Sequence, residues 1–209
     1  MRIDSLKNSP DRAGRYWVTF EDGTKLGLYR QTVEDFGLYI GKELTEEEKE
    51  RLLTAAGKMS AKMRAVRIVS ATSVSKRDLE ERLVRKGEDP EQAKESVQWM
   101  EELHLVDDRN TAEAVVHSCI SKGYGLQRAK QALYEKRIPK QYWDEALEDY
   151  PDQYERIEQF LLSRLDADSD QKQIKKAIDA LIRRGHSYGT IRRCLNNFSF
   201  DSDDYIEDF

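Results

Sequence analysis

The chain has 209 residues, 36% charged and 38% hydrophobic, with a net charge of −5 at pH 7; regular recurrence of Leu, Ile, Val and aromatic residues excludes disorder, and the acidic balance argues against a stand-alone nucleic-acid binder, which carries a basic excess. No apolar run approaches the ~20 residues of a membrane span, and Met1-Arg2-Ile3-Asp4 does not open a signal peptide. A cytoplasmic protein is expected, with Cys119 and Cys194 as reduced thiols that fill small gaps in the core.

Strand signals come first. Tyr16-Trp17-Val18-Thr19-Phe20 is β-branched and aromatic, Glu21-Asp22-Gly23-Thr24 supplies a turn, and Lys25-Leu26-Gly27-Leu28-Tyr29 resumes the apolar alternation. An Asp-Gly pair between two such runs predicts a hairpin. Arg2 to Leu6 adds a third strand, and Val33, Phe36, Leu38 and Ile40 are the expected cover for so small a sheet.

From Thr45 onward the pattern is helical. Thr45-Glu46-Glu47-Glu48 is a capping box, in which the Thr hydroxyl accepts from the amide three residues on and the Glu reaches back. Leu52 and Leu53 then mark a buried face. An internal repeat follows. Leu83-Val84-Arg85-Lys86-Gly87 is echoed by Leu133-Tyr134-Glu135-Lys136-Arg137, fifty residues on, and by Leu181-Ile182-Arg183-Arg184-Gly185, a further forty-eight. Each echo closes a helix (75–86, 126–136, 172–184), with basic residues opposing the carbonyl end of the dipole and Gly87 or Gly185 taking the left-handed cap. Another helix precedes each (58–70, 111–121, 154–165) and a third follows (90–103, 139–149, 187–197).

The expected fold is therefore mainly α: three tandem three-helix repeats forming an elongated array, preceded by a small three-stranded β domain. The expected boundaries are 1–56 for the N-terminal hairpin and helix, 57–108 and 109–150 for the first two repeats, and 151–209 for the third with an acidic tail. Leu79, Leu83, Trp99, Leu133, Trp143 and Leu181 are the expected core.

Charge follows the repeats. Lys58–Gly87 holds nine basic and three acidic residues, His117–Lys140 six and one, and Lys172–Arg193 seven and one. Between them, Glu88–Asp108 and Gln141–Asp170 are strongly acidic. A solvated helix mixes signs, so basic second helices alternating with acidic segments suggest surfaces for a charged partner.

Three segments carry a family resemblance. Ser75-Lys76-Arg77-Asp78-Leu79 with Leu83 and Lys86-Gly87, then Leu105-Val106-Asp107-Asp108 with Ala112, then Lys122-Gly123-Tyr124-Gly125 with Arg128 and Leu133 are similar, in order and spacing, to the RecX family of RecA regulators. The resemblance covers most of residues 60–198; the chain departs from it at Thr72, Val74, Thr111 and His186, the last standing where Phe usually follows Arg-Arg-Gly. It implies a non-catalytic monomer that binds the RecA recombinase filament and lowers its activity, touching DNA weakly and without strong sequence preference. The expected contact residues are Arg77, Arg82, Arg85, Lys86, Arg128, Lys136, Arg137, Arg183, Arg184 and Arg192.

No catalytic residue, cofactor or metal site is expected. Ser75 with Asp78 reads as a helix cap, Gly123-Tyr124-Gly125 as a helix-entry turn lacking the Lys-Ser/Thr of a phosphate loop, and Asp107-Asp108 as a cap for the next helix. His104, His117 and His186 share no ligand spacing. The alternative is a helix-turn-helix-like transcription regulator, which needs a basic or amide-rich third helix for the major groove. The first two repeats carry Glu91, Glu95, Glu101 and Glu102, and Asp144, Glu145, Glu148 and Asp149, in that place, and only Arg192 and Arg193 of the third repeat favour the alternative. A scaffold for some other protein is a third class.

Overall fold

Alternation in the first thirty residues produces an antiparallel sheet in the order β1 (Ile3–Asn8), β2 (Arg15–Phe20), β3 (Lys25–Tyr29). The Asp-Gly turn joins β2 to β3: Asp22 Oδ1 accepts from the Thr24 amide at 2.9 Å, and Gly23 takes φ +82°. The computed structural model describes residues 1–9, 14–166 and 169–197; the acidic tail lies outside them. The chain divides into two compact units, Met1–Val106 and Asp107–Phe209.

In the first unit, the inner face of the sheet buries Ile3, Val18, Phe20 and Leu28 against Val33, Leu38, Leu44, Leu52 and Ala56, with Phe36 partly buried beside them. A short helix α1 (Arg30–Asp35) supplies Val33. Ile40, expected in this cover, is instead exposed. It stands in a turn with Gly41 at φ +91°, closed by the Lys42 amide on the Tyr39 carbonyl, which carries its side chain outward.

The Thr45 capping box forms as expected and starts a 26-residue helix, α2 (Glu46–Ala71). Leu52 is fully buried but its neighbour Leu53 is exposed, because successive residues point about 100° apart on a helix and only one reaches the core. Gly57 does not break α2, which runs through the 56/57 boundary. A Cβ at Gly57 would collide with the Gln92 side chain, so the glycine admits a close neighbour. That neighbour belongs to α4 (Pro90–Glu102), which packs with α3 (Lys76–Arg85) on α2. Their shared core is Ala65, Val74, Leu79, Leu83, Ala93, Val97, Met100 and Val106. Trp99 is only partly buried, with the Lys62 ammonium 4.8 Å from its ring centroid.

The second unit continues the pattern. Its helices are α5 (Asp108–Ser121), α6 (Leu126–Glu135), α7 (Trp143–Leu147), α8 (Tyr154–Leu162), α9 (Gln171–Arg183) and α10 (Tyr188–Asn196). Where residues 139–149 predict one helix, the chain makes a 3-10 turn (Lys140–Tyr142) and the five-residue α7. Pro151 limits it downstream by disfavouring helical backbone at the preceding residue. Trp143 is half-buried and donates from Nε1 to the Ile138 carbonyl at 3.0 Å. One core gathers Ala112, Val116, Leu133 and Ile138. Another gathers residues of α8, α9 and α10 around Ile157, Leu161, Ile178, Leu181 and Ile191.

The repeated sequence echo is a repeated helix stop. Gly87, Arg137 and Gly185 all sit at positive φ (87°, 56° and 84°). In each case the next amide (Glu88, Ile138, His186) donates back to the echoed leucine's carbonyl (Leu83, Leu133, Leu181) at 3.1–3.2 Å. This is the Schellman geometry that satisfies the last carbonyls of a helix.

Candidate functional site

Nine of the ten expected contact residues lie on the second helix of a repeat or at its end, and Arg192 lies on a third helix. Arg77, Arg82 and Arg85 lie on α3, Arg128 on α6, Arg183 on α9 and Arg192 on α10. Lys86, Lys136 and Arg184 are the C-caps of α3, α6 and α9, and Arg137 follows the second of them. Cations at the C-cap face the unpaired carbonyl end of the helix.

Several of these cations are held by carboxylates of the same chain. Arg77 pairs with Glu81 at 3.3 Å, Arg82 with Asp78 at 2.9 Å, and Arg128 with Glu135 at 2.9 Å. The Arg128 and Gln131 side chains hold the Glu135 carboxyl below its ordinary value. Lys86 and Arg85, by contrast, are exposed and show no ion pair with the described residues.

Two cations missed at the sequence level complete a site with Arg82 and Lys86. Arg64 and Arg67, one helical turn apart on α2, join them around a cleft of about 430 Å³ floored by Ile68, Ala71 and Thr72. Arg64 Nε stands 2.6 Å from a Glu88 oxygen without hydrogen-bond alignment, and Nη1 donates to the Lys86 carbonyl at 3.1 Å. Buried Glu88 thus neutralises Arg64 and fixes it. Arg67 donates to the Met63 carbonyl and, at 3.4 Å, to the Tyr29 hydroxyl, neither of them charged. Among the described residues, the cleft therefore presents Arg67 and Lys86 as uncompensated charges. The i and i+3 spacing of Arg64 and Arg67 on a helix inside the basic run Lys58–Gly87 was the available signal.

The second unit builds a related cleft between the first and second helices of its last repeat. It measures about 520 Å³ and is lined by Lys122, Arg156, Phe160, Arg184 and His186, with Glu155 on it as well. Arg156 and Phe160 stand four residues apart, as Arg64 and Ile68 do, and Arg184 holds the C-cap position of Lys86. The guanidinium carbons of Arg164 and Arg184 each lie 4.6 Å from the Phe160 ring centroid, a cation–π arrangement. Burial, then the Arg184 charge, lowers the His186 imidazole below its ordinary value, against a hydrogen bond to the Gly123 backbone and the charge of Asp152.

Gly123-Tyr124-Gly125 forms a docking turn. Gly125 caps α6, and its amide donates to the Arg184 carbonyl at 2.9 Å, while the Gln127 amide donates to the Gly185 carbonyl at 3.2 Å. The Gly-Tyr-Gly and Arg-Arg-Gly elements are two sides of one contact. Asp107 caps α5 through the amides of Arg109 and Asn110, and Ser75 is fully buried as the cap of α3. Among the described residues, no cluster of His, Cys, Asp or Glu is arranged to hold a metal, and no helix is long and apolar enough to cross a membrane. As for a groove-reading third helix, α7 is five residues long with Asp144 and Glu145 in its first turn. On α4, Glu95 and Glu101 pair with Lys58 and Lys76.

Fold and site together define a three-helix-repeat protein whose distinctive surfaces are basic clefts. The family model described as "RecX, second three-helix domain" matches residues 107–147. A regulatory protein RecX from Chlorobaculum tepidum is 33% identical over 141 residues, covering 66% of this chain and 88% of its own. One from Clostridioides difficile is 27% identical over 210 residues, covering 97% of each. A crystal structure of a regulatory protein RecX aligns with a TM-score of 0.64 at 21% identity, over 93% of this chain and 98% of its own, which speaks for the fold alone. The chain belongs to the RecX family of regulatory proteins.

Proposed function

We propose that this chain is a cytoplasmic, non-enzymatic, monomeric regulator that binds a RecA-type recombinase filament on DNA and lowers its activity. The observation that carries this reading is the basic cleft of the first repeat, where Arg67 and Lys86 stand uncompensated beside Arg64 and Arg82. The related cleft of the last repeat supports it. In a chain with net charge −5, such sites favour a polyanion locally without making the whole molecule a general nucleic-acid binder. Complementarity of this kind steers encounter and sets register more than it adds affinity. DNA contact is therefore weak, salt-sensitive and indifferent to sequence.

The test is inhibition of DNA-dependent ATP hydrolysis by RecA, with the wild type and an Arg67→Glu/Lys86→Glu variant. Because neither side chain sits in an ion pair with the described residues, the double reversal keeps its helical circular dichroism. It is expected to lose most of the inhibition. Its log affinity for single-stranded DNA against log salt also becomes shallower by about 1.4, since each phosphate that is no longer neutralised removes ~0.7 from the slope. Full inhibition by the well-folded variant would reduce the cleft to a solvated surface.

A further inference from the structure

The outer face of the N-terminal sheet, away from its core, lines neither cleft and touches the first only where the Tyr29 hydroxyl accepts from Arg67. Register places its outward side chains in rows: Ser5, Thr19 and Lys25; Lys7, Trp17 and Gly27; Arg15 and Tyr29. Trp17, at the centre of the middle strand, is 44% exposed. It leans over Gly27, where an added Cβ would come within 3.3 Å of its ring and 3.4 Å of the Arg15 guanidinium. Arg15 in turn lies with its guanidinium carbon 5.3 Å from the Tyr29 ring centroid, and its Nε is buried without a hydrogen-bond partner. Beside the indole, Ser5, Lys7, Asn8, Trp17, Thr19 and Lys25 line a hollow of about 440 Å³. These rows carry three cations and no carboxylate.

Covering Gly27 uses part of the indole, and the 44% of Trp17 that still faces solvent stands among three cations. We propose that this face is a stacking platform for single-stranded nucleic acid. Trp17 takes the face of an unpaired base, and Lys7, Lys25 and Arg15 hold the neighbouring phosphates. Stacking on an aromatic within a cationic groove is how sequence-tolerant single-strand binders work. In a duplex the base faces are already stacked, which leaves Trp17 nothing to engage. An acidic protein surface matches the cations but gives the indole no partner. A second copy of this chain would set three cations against three cations. The inference stands independently of the recombinase reading.

The test uses the full chain, a fluorescein-labelled oligo-dT and its oligo-dT·dA duplex, followed by anisotropy and by quenching of intrinsic tryptophan fluorescence. Binding of oligo-dT is expected to quench Trp17. Trp17→Ala should weaken single-strand binding about tenfold, within the range of one stacked base, and Trp17→Phe much less. Lys7→Glu should weaken it with the indole intact. Trp17→Ala leaves the fold intact, since the side chain is on the sheet's outer face, and circular dichroism verifies this. Absence of Trp17 quenching, equal affinity of Trp17→Ala and wild type, release of oligo-dT by poly-glutamate as efficiently as by unlabelled oligo-dT, or a Trp17-dependent dimer in sedimentation would each overturn the proposal. Trp99 and Trp143 also fluoresce, so the quenching is followed in a Trp99→Phe/Trp143→Phe background, where it reports Trp17 alone and is read separately from any effect of the Arg67/Lys86 cleft.

Discussion

Gly125→Ala isolates the contact between the second and third repeats. Gly125 has ordinary extended backbone, φ −77° and ψ 164°, so alanine meets no conformational penalty there. The penalty is steric: its Cβ would overlap the Gly185 carbonyl and the His186 amide nitrogen, both backbone atoms that no rotamer change can move. To admit the methyl group, the start of α6 must draw away from the end of α9. That stretches the Gly125–Arg184 and Gln127–Gly185 hydrogen bonds of 2.9 and 3.2 Å. Two such bonds are worth about 1 kcal/mol each, and overpacking a tight contact costs about 1–3 kcal/mol. The expected loss is about 3–5 kcal/mol for the second unit, or a fall of about 12 °C or more in its Tm. Trp143 reports on that unit, whereas Trp17 and Trp99 belong to the other; a variant with Trp17 and Trp99 replaced by Phe makes the fluorescence specific. Gly189→Ala is the control, because its Cβ meets nothing within 4 Å in α10; it is expected to be neutral or stabilising by up to about 1 kcal/mol. A Gly125→Ala protein that melts with the wild type would refute the docking role of the Gly-Tyr-Gly turn.

Gly87→Ala tests backbone handedness without a clash: φ is +87° and the added Cβ meets nothing within 4 Å, so a destabilisation of about 1–2 kcal/mol is expected in urea denaturation of the first unit. An unchanged midpoint would contradict the left-handed cap. Since burial holds the His186 imidazole below its ordinary value, the unfolded chain binds the proton first. Its stabilising contribution is present above pH ~6.5 and is lost as pH falls through the folded pKa. Stability relative to His186→Phe should therefore fall between pH 7 and 5; a constant difference would exclude the linkage. Cys119 and Cys194 are buried, and burial raises both thiols above their ordinary values. Neither should react with a chromogenic disulfide reagent at neutral pH until denaturant is added, and rapid native labelling would contradict the packing.

Local signals read well where one residue type has one physical use. Asp22-Gly23 marked a turn, Thr45 with Glu48 a capping box, and Leu79, Leu83, Leu133 and Leu181 are all buried at 0–1% exposure. Reading fails where a second element decides. Gly57 lies inside α2 to admit the Gln92 side chain, which nothing in its own segment signals, and Ile40 resembles cover until the Gly41 turn carries it out. Trp99 and Trp143 were expected in the core and are only half-buried, each with a polar partner at its edge or face. For the candidate site, the cations of the second helices were legible from the repeat. Their cleft partners Arg64 and Arg67 come from a different helix, and the pairing of Arg128 with Glu135 spans two turns. Likewise, the two glycine motifs each read as a local turn, although their physical role is to meet each other.

The central claim, that the basic clefts serve a nucleoprotein filament, is tested most directly by co-sedimentation with RecA, with and without single-stranded DNA and a non-hydrolysed nucleotide. Wild-type chain should pellet with RecA assembled on DNA, and Arg67→Glu/Lys86→Glu should stay largely in the supernatant. Wild-type chain that fails to pellet with the filament, or a double reversal that pellets undiminished, would contradict it.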